Sequence, residues 1–140
     1  MTHLLSRAQP LQCLLIDDDV DDQEIFTMAL HEFNDAILCD FANDGVKALE
    51  KLLTDIAFIP SCIFIDINMP RMNGVECLAE IRKIARLKPV PVCMYSTSAD
   101  PEIVAKTKAL GATDFIVKPA SITILSDLLC KFFTLNVGLT

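Results

Sequence analysis

Five short runs of apolar, strand-forming residues alternate with helix-patterned segments along almost the whole chain, and this alternation restricts the fold more than any other feature. The runs are QCLLI (12–16), AILCDF (36–41), CIFI (62–65), VPVCMY (90–95) and DFIV (114–117), rich in Ile, Val, Leu, Cys and Phe. Between them, apolar residues recur at helical spacing. Phe26, Ala29, Leu30 and Phe33 fall on one face, Leu78, Ile81, Ile84 and Ala85 on a second, and Ile122, Leu125, Leu129 and Phe132 on a third.

Local stop and start signals fall where the periodicity changes. Asp100-Pro101-Glu102 joins an N-cap, a proline in the first helical turn and an acid near the positive helix end, while Gly111 ends the same helix after Leu110. Ser121 caps the last helix. Asn43-Asp44-Gly45 and Asn73-Gly74 mark the turns before the second and third helices. Strand followed by helix, five times over, implies parallel strands joined by right-handed crossovers with helices on both faces. The fold class is therefore α/β, a single doubly wound (βα)5 domain. Buried central strands explain why CIFI shows no period-two alternation.

A chain of 140 residues is sufficient for one core and one domain. We expect a flexible N-terminal arm over 1–11, the domain over 12–134 and a short tail over 135–140. Apolar residues make up 52 %, yet no run approaches the ~20 needed to cross a bilayer, and MTHLLSRAQP lacks the features of a secretory or transit peptide. These features point to a cytoplasmic protein without membrane contact. A net charge of −7 repels phosphate backbones and excludes direct nucleic-acid binding. The six cysteines are dispersed among hydrophobic neighbours without a C-x-x-C pair, as buried free thiols would be.

In an open parallel sheet, ligand-binding groups gather beyond the carboxyl ends of the strands. The first run ends in Asp17-Asp18-Asp19, the third in Asp66, the fourth in Ser96-Thr97-Ser98 and the fifth in Lys118-Pro119. Parallel strands bring all four to one rim. Clustered carboxylates repel one another, which raises a pKa or demands a cation. Oxygen ligands without His or Cys suit Mg²⁺. Asp66 supplies a carboxylate nucleophile, Lys118 a compact ammonium for a phosphate oxygen and Ser96 a hydroxyl donor, which together suit an aspartyl phosphate. His3 and His31 are isolated and receive no role.

The segments LLIDDD, IDINMPRMNG, MYSTS and DFIVKP, in that order at successive strand ends, resemble the receiver domain of two-component response regulators over roughly residues 12–133. The resemblance implies a flavodoxin-like sheet in the order 2-1-3-4-5 and phosphate transfer from a sensor histidine kinase to Asp66. It implies Mg²⁺ held by Asp18 directly, by Asp17 through water, by Asp66 and by the backbone carbonyl of Asn68, with Asp19 left outside. Ser96 matches the switch hydroxyl, Phe115 the aromatic residue that turns inward with it, and the Lys118–Pro119 bond is implied to be cis. Ser98 stands where some members carry an acid or amide that orients water, which implies a long-lived phosphorylated state.

Only TLNVGLT follows Phe133. The expectation is a stand-alone receiver whose output is contact with a downstream protein target or with a histidine phosphotransfer protein, with no enzymatic activity beyond its own phosphotransfer and autodephosphorylation. If Phe133 faces outward, it extends an apolar surface suited to a homodimer. Two rivals fit less well. A haloacid-dehalogenase-like phosphatase needs a second acid where Asn68 stands, and an amide cannot give up that proton. A phosphorylation-independent interaction module would not need the complete set of side chains found here.

Overall fold

The computed structural model describes residues 10–138, so residues 1–9 of the expected arm and 139–140 of the expected tail lie outside the described residues. Five parallel strands, β1 (Gln12–Ile16), β2 (Leu38–Ala42), β3 (Cys62–Ile65), β4 (Val92–Ser96) and β5 (Asp114–Val117), form one sheet in the order β2-β1-β3-β4-β5. Five α-helices follow them in turn: α1 (Val20–Phe33), α2 (Gly45–Thr54), α3 (Gly74–Ile81), α4 (Pro101–Ala109) and α5 (Ile122–Asn136). The α/β class, strand order and five-fold repeat agree with the sequence reading. Among the described residues, no helix is long and apolar enough to cross a membrane.

Alternate residues of the central strands feed two cores. Cys13, Leu15, Phe64 and Tyr95 pack with Phe26, Leu30, Leu125, Leu129 and Phe132 of α1 and α5 on one face of the sheet. Leu14, Ile16, Ile63, Ile65 and Met94 pack with Leu52, Leu78 and Ile81 of α2 and α3 on the other. Both sides of β1, β3 and β4 are thus sealed, and only their carboxyl ends are left to carry polar groups.

The caps act where the sequence places them. Asp44, Asn73, Asp100 and Ser121 each accept backbone N–H groups at a helix start, and Asn73 forms a capping box with Glu76. Gly111 follows Leu110, the C-cap of α4, at φ 106°, a conformation that side chains resist.

Several boundaries differ from expectation. β2 starts at Leu38 rather than Ala36, because Asn34 turns the chain by accepting from Ala36 N (3.0 Å) and Ile37 N (3.4 Å). β4 starts at Val92, since Val90 N is bound to Leu87 O in a turn and Pro91 has no N–H to offer. α3 ends at Ile81, so Ile84 and Ala85 do not continue it; Ala85–Leu87 form a separate 3₁₀ turn. The Arg82 guanidinium donates to the carbonyls of Leu87, Val90 and Gly111 and gathers the chain back at that point. Phe133 is fully buried, with its ring 5.6 Å from Phe33 and 6.3 Å from Phe64, so the outward apolar surface expected from it does not exist.

Candidate functional site

The rim at the strand carboxyl ends is built by β-ladder hydrogen bonds that run one residue beyond the strands. Asp17 N donates to Ala42 O (3.1 Å), Asp66 N to Ile16 O (2.9 Å) and Lys118 N to Ser96 O (2.7 Å). The ladder thereby fixes Asp17 and Asp66 side by side and sets Lys118 on the same rim, two strands away from Asp66. A crevice of about 480 Å³ opens above them, lined by Asp18, Asp19, Asp22, Asp66, Asn68, Thr97 and Lys118 together with Val20.

Carboxylate oxygens of Asp17, Asp18 and Asp66 all lie within 4.8 Å of one another. Asp17 is fully buried, Asp66 is 6 % exposed and Asp18 faces solvent. Burial pushes the Asp66 carboxyl up to about 6; Lys118 opposes that rise, Asp17 and Asp18 add to it, and the backbone N–H of Asn68 opposes it. Burial raises Asp17 as well, against the N–H of Asp19 and the Lys118 ammonium. Three acids held this close, two of them out of water, form an oxygen-only donor set that fits a hard divalent cation.

The Lys118 ammonium stands among these acids. Its Nζ lies 2.6 Å from Asp22 Oδ2, 3.0 Å from Asp17 Oδ2 and 3.6 Å from Asp66 Oδ1, and 4.9 Å from the centre of the Tyr95 ring. Burial alone would lower its pKa, but hydrogen bonds to Asp22 and Asp17 and the charge of Asp66 raise it instead, so the side chain stays cationic.

Asp19 is spent elsewhere: its Oδ1 accepts from Asp21 N (2.8 Å) and Asp22 N (3.2 Å) and caps α1. Its place outside the acidic trio follows from that role. Asn68 lines the crevice beside Asp66. Ser96 is buried, its Oγ accepting from Ser98 N at 3.5 Å; the crevice wall next to it is Thr97. Phe115 lies apart from the crevice. It is half-buried, packs against the second core and lines a separate 250 Å³ cavity with Val104, Thr107 and Lys108. Ser96 pairs with Val117, two residues beyond Phe115, so Ser96 and Phe115 project from the same face of the sheet. Among the described residues no peptide bond is cis, so Lys118–Pro119 is trans, the lower-energy isomer, against the expectation drawn from the resemblance.

Three contributors escaped the sequence reading. Asp22 holds Lys118, although its place in the acidic first turn of α1 suggests only a favourable charge at a helix start. Gln23 Nε2 donates to Asp17 O (2.8 Å) and Asn43 Oδ1 (3.0 Å), tying the β1 and β2 exits together. Arg71, at φ 66°, reaches back to Asp44 Oδ2 (2.8 Å) and ties the loop after Asp66 to α2. None of these contacts has a local sequence signal.

Known proteins share this architecture. The family model for the response regulator receiver domain matches residues 13–129. A protein-glutamate methylesterase/protein-glutamine glutaminase from Geobacter metallireducens is 33 % identical over 114 residues, covering 80 % of this chain and 30 % of that protein. The chain thus spans about a third of the length of the curated relatives it matches. Chemotaxis protein CheY4 of Vibrio cholerae superposes with a TM-score of 0.76 at 28 % identity, over 88 % of this chain and 98 % of that one. The phosphorylated cyanobacterial phytochrome response regulator RcpA superposes with a TM-score of 0.81 at 26 % identity, over 94 % and 98 %. With its sheet order and the acids and lysine gathered at one rim, the chain belongs to the response regulator receiver domains of two-component signalling systems.

Proposed function

We propose that Asp66 accepts a phosphoryl group from a sensor histidine kinase and that the resulting aspartyl phosphate changes the chain's affinity for another protein. In the transfer, the P–N bond of a phosphohistidine breaks as a P–O bond to Asp66 forms, and the imidazole leaves. The observation that carries this reading is the Lys118 ammonium 3.6 Å from a nearly buried Asp66 within a trio of carboxylates. An ammonium at that distance can take a phosphate oxygen, and a buried carboxylate is poorly solvated and ready to react.

Asp17, Asp18, Asp66 and the backbone carbonyl of Asn68 would hold Mg²⁺, which when bound offsets the negative charge of the carboxylates and the incoming group. The chain's own residues do the rest. Lys118 neutralises one phosphate oxygen, Ser96 turns its hydroxyl towards another, and Asn68 N–H orients the Asp66 carboxylate. Movement of Ser96 leaves space on the sheet face it shares with Phe115, and inward rotation of that ring into the adjoining cavity alters the α4–β5–α5 surface. The unit that does this takes in residues 12–134. A cytoplasmic location, where a kinase reaches it, suits this reading, and the recipient is a downstream protein target or a histidine phosphotransfer protein.

Incubation with acetyl phosphate and Mg²⁺, followed by intact mass, tests the assignment. Wild type should gain one phosphoryl group and Asp66→Ala none. Equal gain in both, or gain in neither, overturns it.

A further inference from the structure

Asp22 lies outside the acidic trio, yet it makes the shortest contact of the Lys118 ammonium. Nζ is 2.6 Å from Asp22 Oδ2 and 3.0 Å from Asp17 Oδ2, both hydrogen-bonding distances, whereas Asp66 Oδ1 at 3.6 Å is held by charge alone. We propose that Asp22 is a positioning residue that anchors Lys118 off Asp66 in the resting protein, so that a phosphoryl group on Asp66 has to win the ammonium from Asp22. This rests on the reading of Asp66 as phosphoryl acceptor and adds to it a built-in competitor that sets how strongly the site retains the group.

The two hydrogen-bonded partners are not equivalent. Asp17 is wholly buried, so in the metal-free protein it cannot give up the ammonium without leaving a charge stranded away from water. The Asp22 side chain is 28 % exposed and stands in the first turn of α1, where the helix end favours a negative charge. Once Lys118 swings away, Asp22 is met by water and by the helix. Its bond is therefore the one that breaks. The flexible four-carbon stem of lysine allows the ammonium to move towards Asp66 while keeping Asp17. Asp22 also lines the crevice in which the phosphoryl group would lie, so its charge opposes that group directly.

Beryllofluoride with Mg²⁺, a stable mimic of a phosphoryl group on a carboxylate, reads the competition as a binding constant. Asp22→Asn, which keeps shape and loses charge, should bind it about three- to tenfold more tightly than wild type, the scale of one net hydrogen bond, because the amide oxygen of the new side chain can still accept from Lys118. Asp22→Glu, which restores the charge, should return affinity towards wild type. Asp21→Asn removes the same charge one residue away on an exposed position that does not touch Lys118, and should change affinity less than Asp22→Asn. Unchanged or weaker binding in Asp22→Asn, or an equal gain in Asp21→Asn, overturns the anchor. Failure of wild type to bind beryllofluoride counts instead against Asp66 as acceptor. The anchor then stands or falls on the ¹H–¹⁵N signal of the Lys118 ammonium in the metal-free protein. That signal should be protected from exchange in wild type and Asp66→Asn and less protected in Asp22→Asn; protection that survives Asp22→Asn unchanged overturns the proposal.

Discussion

Gly74 packs directly on the backbone of Asp66. A Cβ at position 74 would meet the Asp66 carbonyl oxygen and stand 2.7 Å from Ile67 Cα and 2.9 Å from Asp66 C. The contact is sealed by Gly74 N, which donates to Ile67 O at 2.8 Å. The first residue of α3 therefore serves as the floor on which the Asp66 loop rests.

Because the obstructing atoms are backbone, they cannot move aside as a flexible side chain could. Gly74→Ala should cost about 3 kcal/mol, the upper range for inserting a methyl into a packed site. Urea unfolding should show the midpoint falling with the slope unchanged. The variant should also accept less phosphate than wild type, since relief of the clash shifts Asp66. A loss of less than about 0.5 kcal/mol, the range of ordinary surface changes, would falsify this packing.

The raised pKa of Asp66 fixes a pH dependence. In the metal-free protein the carboxyl titrates near 6 when folded, against an ordinary value of 3.8, so the folded state binds more protons between those values. Its contribution is present below pH 3.8 and is lost as pH rises through 6. Asp66→Asn keeps the neutral form at every pH. Thermal melts without divalent cations should therefore show the variant more stable than wild type at pH 7, by about 3 kcal/mol, with the difference shrinking to a small fraction of that near pH 4. A constant difference across that range excludes the titration as its cause.

What the sequence makes legible follows from how each feature is encoded. Asp17, Asp66, Ser96 and Lys118 can be placed on one rim because each stands at the end of an apolar run, and parallel strands leave no other arrangement. The partner of Lys118 could not be found this way. Asp22 is 96 residues distant in the chain, and a helix-start acid explains its presence without any long-range contact. The orientation of Phe133 was hidden for a related reason. Phe132 continues the stripe of Leu125 and Leu129, and position 133 lies about 100° further round the helix, where only the width of the α1–α5 contact decides its burial. The structure buries both rings. The early end of α3 was equally invisible, since it depends on Arg82 collecting carbonyls as far away as Gly111.

The cysteines yield a prediction about access. All six are free; Cys13, Cys62, Cys77 and Cys93 are buried, while Cys39 and Cys130 are partly exposed. Burial pushes the Cys77 thiol up to about 12 and raises Cys62 and Cys93 well above the ordinary thiol value. Thiolate is the reactive form, so these side chains should resist alkylation until the fold opens. Brief iodoacetamide treatment of native protein, followed by peptide mapping, should label Cys39 and Cys130 first, with all six labelled only in denaturant. Early labelling of Cys62 or Cys93 in native protein would contradict the packing of the first core.

Among the described residues, Lys118 is the one cation that touches Asp17, Asp22 and Asp66 together. Lys118→Met keeps the stem and removes the charge, leaving Asp17 buried with only the Asp19 N–H to face it. Removing one partner of a buried ion pair costs about 3–5 kcal/mol, and the partial exposure of Asp22 places the expected loss at the lower end. A divalent cation that binds the folded trio should restore part of that loss by mass action, about 2.7 kcal/mol at a hundredfold excess over Kd. Thermal melts of Lys118→Met with and without Mg²⁺ should therefore differ more than those of wild type, where the ammonium already balances the acids. The gain from Mg²⁺ should shrink below pH 6 as Asp66 takes up its proton. If Mg²⁺ raises the melting temperature of wild type and variant equally, the ammonium and the metal are not neutralising the same carboxylates, and the electrostatic account of this rim fails.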